Sequence, residues 1–182
     1  ELPESIDSIL SQTDLTLELM VVDDGSTDAT EAILADYAKR DGRIHVFRQS
    51  NRGLTAALIL GCAHARGEFI ARQDVGDISL PGRLSAQVAV LDQDHEVNVC
   101  SCHSEFFGPN NEVLYESRPD ATELQLGLSG PAHHGSVMMK RKDYERVGGY
   151  RRQFYFAQDL DLWSRLADFG RHAVLPQVLY RA

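Results

Sequence analysis

The sequence has 182 residues, of which 43% are hydrophobic and 25% charged, close to the average for soluble globular domains. This composition excludes a disordered chain, a collagen-like fibre and a small disulfide-stabilised domain. Lys and Arg number 18 against 27 Asp and Glu, which gives a formal net charge of -9. A protein that binds nucleic acid by neutralising phosphates needs the opposite balance. An anionic substrate would therefore require cations placed locally at its site.

Three cysteines, Cys62, Cys100 and Cys102, cannot all pair, and their spacing makes no CxxC zinc motif. We interpret them as reduced thiols of a cytoplasmic protein, with a peripheral position at the inner face of the membrane as an alternative. No apolar run reaches the roughly 20 residues that a membrane-spanning helix needs. The sequence begins with Glu1 and not with Met, which favours a fragment of a longer protein.

The first half of the chain alternates β-rich runs with helical periodicity, which predicts an α/β fold with a mostly parallel sheet. Apolar residues at helical spacing predict a helix near 2–10. The run 17–22 predicts a buried strand that stops at the acidic stretch 23–28. The remaining predictions for this half are helices at 28–38, 54–65 and 81–91 and strands at 44–47 and 69–71.

The second half lacks the repeating unit of strand, loop and helix. A turn rich in Gly, Pro and Asn at 108–111 joins two predicted strands. No linker, internal repeat or low-complexity stretch divides the sequence, so we predict one domain over 1–182. The other predicted elements are strands at 97–107, 112–115 and 136–139 and helices at 142–147 and 158–169.

Carboxylates follow two of the predicted strands. Asp23 and Asp24 come after one strand, and Asp74 and Asp77 come after another. In open α/β sheets, ligands bind outside the carboxyl ends of the strands. Carboxylates at such ends can accept hydrogen bonds from a base or ribose, or coordinate a hard cation. The alternative for the first pair is an ordinary Asx turn and helix cap, but two such clusters at one sheet edge favour a binding site.

Six segments carry motifs that follow one another in a recognisable order: 18–30 (ELMVVDDGSTDAT), 51–53, 65–71, 74–84, 148–150 and 158–163. Taken together, these motifs resemble those of family 2 glycosyltransferases of the GT-A fold. The resemblance covers nearly the whole chain and implies a three-layer α/β/α sandwich with a mostly parallel, Rossmann-like sheet. It further implies transfer of a sugar from a nucleotide-sugar, usually with inversion and a divalent cation. The half 1–95 would bind the nucleotide-sugar and the half 96–182 the acceptor.

The resemblance implies roles for five carboxylates. Asp23 and Asp24 would contact the nucleotide base and ribose. Asp74 and Asp77 would hold the sugar, the diphosphate and the metal ion. Asp159 would be the general base that deprotonates the acceptor hydroxyl, because a sugar hydroxyl is too weak a nucleophile unaided. The alternative for Asp159 is a solvated carboxylate at the start of a helix.

Basic and imidazole side chains complete the predicted site. Arg52 is expected to bind the substrate, and Arg72 and Arg83 are further cations near the second acidic cluster. His134 is expected to contact the substrate on the acceptor side, next to His133. The alternative is that both histidines are ordinary loop residues, since no third ligand follows them at a metal-binding spacing.

The sequence departs from the family pattern at two places that matter for the site. The first strand of the family is missing before Leu2. Gly76 stands where the usual Asp-x-Asp-Asp motif has its middle Asp, a position that commonly supplies a metal ligand. The predicted site for a divalent cation, Mn²⁺ or Mg²⁺, therefore rests on Asp77 with Asp74 in support.

Three functions stay open at this point. The leading hypothesis is an inverting transferase that uses a nucleotide-diphosphate sugar, with a UDP-sugar favoured, and a carbohydrate or lipid-linked acceptor of cell-envelope polysaccharide. The alternative is a degenerate glycosyltransferase-like domain that binds a nucleotide-sugar or a protein partner without turnover. A receiver-like signalling domain would need a Lys at a later strand end. Lys39 is the only lysine in the first hundred residues, which argues against that third function.

Overall fold

The computed structural model describes residues 1–120 and 133–182, so part of the predicted acceptor half lies outside the described residues. None of the described helices combines the length and apolar composition that crossing a bilayer requires. The helices are α1 (Leu2–Leu10), α2 (Thr30–Arg40), α3 (Leu54–His64), α4 (Arg83–Gln93), α5 (Arg141–Arg146) and α6 (Gln158–Ala167). The strands are β1 (Leu19–Asp23), β2 (Ile44–Arg48), β3 (Phe69–Ala71), β4 (Ile78–Ser79), β5 (Val97–Phe107), β6 (Val113–Ser117), β7 (Met138–Lys140) and β8 (Arg171–Arg181).

The described strands form two sheets. β1 and β2 pair in parallel, and the other six strands form one sheet in the order β3-β7-β5-β8-β4, with β6 paired to β5. Within these residues β5 and β8 are also parallel, while the remaining four pairings are antiparallel. The α/β class is confirmed, but the sheet is mixed. Parallel neighbours need a long crossover connection. Here β5 and β6 form an antiparallel hairpin, and β7 and β8 also pair antiparallel with strands that lie far away along the chain.

Helices cover both faces of the larger sheet. Successive side chains of a strand point to opposite faces, and β5 and β7 use this alternation. Val99 and Met139 pack under α3, α5 and α6, whereas Cys100 and Met138 pack under α1 and α4. The chain therefore forms the predicted three layers, with the sheet in the middle.

An apolar cleft of 870 Å³ lies between the two sheets. Side chains of β1, α3 and β3 line it. In the described chain β1 pairs with β2 and β3 pairs with β7, so β1 and β3 meet the cleft instead of each other. The cleft therefore separates the two sheets. The absence of the family's first strand from this sequence stays a prediction.

The last strand, β8, is an element for which the sequence analysis makes no prediction. Pro176 lies within Arg171–Arg181, and proline argues against a strand interior because it cannot donate to the ladder. The pairing of β8 with β5 shifts register between Cys102 and His103. This irregularity accommodates the proline, and the strand continues far enough to bring Tyr180 into the protein interior, where it is 0% exposed.

Candidate active site

The first acidic turn, residues 23–26, follows β1. Asp23 Oδ1 accepts a hydrogen bond of 2.8 Å from the Ser26 N–H. Hydrogen bonding from the Ser26 side chain is the largest cause that lowers the pKa of Asp23, and the charge of Arg48 contributes in the same direction. Asp23 Oδ2 is buried, lies 3.5 Å from Arg48 Nε, and has no hydrogen-bond partner among the described residues. Of the two Asp23 oxygens, Oδ2 is thus the one that faces the charge of Arg48.

Asp24 holds the loop that leads into α3. Its Oδ1 accepts hydrogen bonds from Gln49 Nε2 at 2.7 Å and from the Arg52 N–H at 2.8 Å. Its Oδ2 accepts one from the Gly53 N–H at 2.8 Å. Burial alone would raise the pKa of Asp24, but these hydrogen bonds outweigh it and lower the pKa. Asp24 therefore holds this loop in place, while its predicted contact with the nucleotide stays a prediction. The Arg52 side chain, also predicted to bind substrate, is exposed beside it.

The second acidic turn, residues 74–77, joins β3 to β4. Asp74, Asp77 and His133 each place one ligand atom within 4.8 Å of the others. Gly76 adopts φ +97°, a conformation that glycine tolerates and other residues rarely adopt. The structure thus brings together the two carboxylates of the predicted cation site and explains the glycine between them by its backbone conformation.

The three residues fit a divalent cation. His133 Nδ1 is buried and has no hydrogen-bond partner in the part of the chain that is described. Burial also lowers the pKa of His133, which keeps the imidazole neutral and able to ligate. Carboxylate oxygens suit Mg²⁺ and Mn²⁺, and imidazole nitrogen is a common metal ligand. His133 is the member of this cluster that the sequence did not predict, because nothing in its spacing connects it to Asp74 and Asp77.

Arg72 is a buried cation of this region, next to the buried Arg83. Its side chain is only 6% exposed, and its guanidinium pairs with Asp74. Burial lowers the pKa of Arg72, while two neighbouring tyrosines and the carboxylates of Asp77 and Asp159 act to raise it. The chain carries a net charge of -9, and here it buries a positive charge among three of the predicted site carboxylates.

Asp159 lies in the first turn of α6 and is half-buried. Its Oδ1 accepts a 2.9 Å hydrogen bond from the Leu160 N–H. Asp161, two residues further on, is held by Arg165 at 2.5 Å and by Arg151 at 3.5 Å. Residues two apart on a helix face different directions, so the engagement of Asp161 leaves Asp159 as the carboxylate of this helix that interacts with Arg72.

His134 lies in an aromatic cluster instead of beside the carboxylates. Its Nε2 is 2.7 Å from the Tyr150 hydroxyl, and its ring meets Trp163 edge-on at 5.8 Å. Burial lowers its pKa to about 3. A role for His134 in substrate binding stays a prediction, and His133 is the histidine that faces the second acidic turn.

Sequence comparisons connect this site to known proteins. The profile of "Glycosyl transferase family 2" matches residues 1–149. EpsE of Bacillus subtilis (strain 168), named as a glycosyltransferase, is 37% identical over 188 residues, which cover 99% of this chain and 67% of EpsE. An uncharacterized glycosyltransferase of Haemophilus influenzae is 27% identical over 196 residues, which cover 98% of this chain and 59% of that protein. The chain thus spans only part of the length of these relatives.

Solved structures share the fold along the whole chain. The mannosyltransferase PcManGT from Pyrobaculum calidifontis, in complex with GDP-Man and Mn²⁺, matches with a TM-score of 0.79 at 24% identity, over 100% of this chain and 52% of that one. TarS 1-349 of S. aureus, in complex with UDP, also gives 0.79, at 19% identity, over 100% of this chain and 56% of that one. The architecture is therefore the predicted GT-A fold. The profile match and the similarity to EpsE show that this chain belongs to glycosyltransferase family 2.

Proposed function

We propose that the protein transfers a sugar from a nucleotide-diphosphate sugar to a hydroxyl acceptor with inversion, and that the donor is a UDP-sugar. The observation that carries this proposal is the position of Arg72. Its buried guanidinium pairs with Asp74 and interacts with the charges of Asp77 and Asp159. The groups proposed to hold the donor therefore include a buried cation in contact with Asp74.

The first acidic turn would bind the nucleoside. The unused oxygen of Asp23 suits a base N–H, which both uracil and guanine present. The exposed guanidinium of Arg52 suits a phosphate. The UDP bound to TarS supports a uridine nucleotide, whereas the GDP-Man bound to PcManGT makes the guanosine nucleotide the comparison to test.

The second acidic turn would hold the diphosphate end of the donor. Asp74, Asp77 and His133 would bind a divalent cation, Mn²⁺ or Mg²⁺, which offsets the negative charge that grows on the leaving diphosphate. The buried charge of Arg72 supplies further positive potential at the same place, and it acts strongly because little water screens it. The Mn²⁺ in the PcManGT complex supports this assignment.

Asp159 would be the general base. Inversion requires a base on the face of the sugar opposite to the leaving diphosphate, where it takes the proton of the attacking hydroxyl. Asp161 is already neutralised by Arg165 at 2.5 Å, which leaves Asp159 as the carboxylate of α6 for this task. The acceptor would be a carbohydrate or a lipid-linked carbohydrate.

The test measures release of nucleoside diphosphate by the full-length protein, with UDP-sugars and GDP-mannose offered in parallel. We expect Asp159→Asn to lower the rate by about 10²- to 10⁴-fold, the usual contribution of a positioned base. Asp168→Asn is the matched control, because Asp168 is exposed at the end of the same helix; it should retain the wild-type rate.

Two results would reject the proposal. If Asp159→Asn turned over at the wild-type rate, Asp159 would not be the base. If the wild-type protein bound a nucleotide-sugar in a thermal-shift screen but released no nucleoside diphosphate with any acceptor, the protein would be a binding domain without turnover.

A further inference from the structure

One buried hydroxyl links the two carboxylate residues of the second acidic turn. The Tyr180 hydroxyl donates a hydrogen bond of 2.7 Å to Asp77 Oδ2. The hydroxyl oxygen of Tyr180 also accepts a hydrogen bond of 3.2 Å from the backbone N–H of Asp74. Tyr180 is 0% exposed, so water does not compete for either bond.

Tyr180 is itself held in place by contacts with a buried arginine, Arg83. The guanidinium carbon of Arg83 lies 4.6 Å from the centre of the Tyr180 ring, and Arg83 is 1% exposed. Arg83 Nη2 donates to the carbonyl oxygens of Arg72 at 2.9 Å and of Gly135 at 2.8 Å. A Cβ at Gly135 would lie 2.1 Å from the Tyr180 hydroxyl. The absence of a side chain at position 135 is therefore what makes room for this hydroxyl.

The hydrogen bonds restrict how Asp77 can turn. A carboxylate can rotate about its terminal bond over a broad range, but here Tyr180 holds one of its two oxygens. Tyr180 therefore limits the orientations of the Asp77 carboxylate, one oxygen of which lies within 4.8 Å of ligand atoms of Asp74 and His133. Groups that orient a metal ligand in this way tune the affinity of the site without touching the ion.

We propose that Tyr180 is a positioning residue, which fixes Asp77 so that it can bind a divalent cation together with Asp74 and His133. This inference rests on the cation site of the proposed function. It goes further because β8, which has no motif in common with the acidic turns, becomes part of the donor site.

The experiment measures the affinity of the full-length protein for Mn²⁺ alone, by titration followed by electron paramagnetic resonance of the free ion. We expect Tyr180→Phe to weaken binding by about 10- to 100-fold, the usual effect of losing a group that orients a metal ligand. Tyr144→Phe is the control, because Tyr144 is also a buried tyrosine, at 8% exposure. Its hydroxyl accepts a hydrogen bond from the Tyr150 N–H at 3.3 Å. It should keep the wild-type affinity.

A second replacement separates positioning from folding. 4-Aminophenylalanine at position 180 keeps a hydrogen-bond donor where the hydroxyl was, so it should recover affinity relative to Tyr180→Phe. Wild-type affinity in Tyr180→Phe, equal losses in Tyr180→Phe and Tyr144→Phe, or absence of recovery with the amino analogue would each overturn the inference.

The proposed sugar transfer can fail or succeed separately, because nucleoside diphosphate release is measured with and without a chelator. If the wild-type protein transferred sugar but bound no Mn²⁺, the inference about Tyr180 would be wrong and the transferase proposal would stand. If it bound Mn²⁺ and lost affinity in Tyr180→Phe but transferred no sugar, the opposite would hold.

Discussion

The two acidic turns look alike in sequence, yet the structure gives them different surroundings. In the first turn, Asp24 uses both oxygens to hold backbone and side-chain donors of the loop before α3. In the second turn, ligand atoms of Asp74, Asp77 and His133 converge within 4.8 Å. A carboxylate surrounded by N–H donors stabilises the fold. Two carboxylates that lie close to each other and to a neutral imidazole instead form a set of ligands that suits a cation.

Charge reinforces the contrast. Arg48, which pairs with Asp23, is 46% exposed, so water screens it. Arg72, which pairs with Asp74, is only 6% exposed. A buried cation costs free energy that an exposed one does not, and proteins accept such costs mainly at functional sites. The first turn is therefore paired with an exposed cation and the second with a buried one.

The largest expected effect comes from removing a ligand in the second turn. Asp77→Asn should weaken Mn²⁺ binding by more than the roughly 10- to 100-fold expected for an orienting group, since it removes a ligand charge. Isothermal titration measures the affinity, and Asp24→Asn is the matched control that should bind as wild type. Equal losses in both variants would mean that the two turns do not differ in task.

A smaller effect, on stability, is expected in the first turn. Asp24→Asn should lower the free energy of unfolding by about 2 kcal/mol at neutral pH, the scale of hydrogen bonds to a charged group. The pKa of Asp24 is lowered below 3.8 in the folded chain, so its contribution is complete above that value and fades as pH falls through the folded pKa.

The melting temperatures of wild type and Asp24→Asn should therefore converge as pH falls below about 4. The melting temperatures of wild-type protein and Asp77→Asn, measured in the absence of metal, provide the corresponding comparison for the second turn. A difference between wild type and Asp24→Asn that stayed constant down to the acid transition would contradict the role given to Asp24.

The smallest effect is expected at the glycine of the second turn. Gly76→Ala should cost about 1 to 2 kcal/mol, because φ is +97° and a Cβ there would meet nothing within 4 Å. Gly25→Ala should cost more, since φ is +88° and its Cβ would lie 2.7 Å from Asn51 N. Urea unfolding of both variants measures the order, and the reverse order would refute this description of the two turns.

Sequence reasoning located most elements and the second acidic turn, but it could not identify every member of the site. Asp74 and Asp77 were predicted as a pair because they follow a strand within four residues of each other. His133 joins them only because β7 pairs with β3 in antiparallel register. Spacing could not show that His133, and not His134, lies beside these carboxylates, since adjacent residues differ in direction and not in pattern.

The pairing of the sheet strands, and the last strand in particular, also could not be predicted from the sequence. The alternation of strands and helices predicted the α/β class and the three layers, yet the mixed pairing depends on which strands meet after residue 96. β8 escaped prediction because Pro176 interrupts the pattern that marks a strand, and a register shift in the pairing absorbs it. Tyr180, which lies in β8, was therefore not predicted either, because its proposed role depends entirely on the residues that it contacts.

From the sequence by itself came the α/β class and two carboxylate pairs at strand ends, because these follow from local order and periodicity along the chain; the family came from the resemblance of its motifs. Only the tertiary structure decided which carboxylates are engaged, which histidine faces them, and which cation is buried among them. Those distinctions depend on contacts between residues as much as 106 positions apart, such as Asp74 and Tyr180. Local propensity does not encode such contacts; pairing of strands and burial of side chains do.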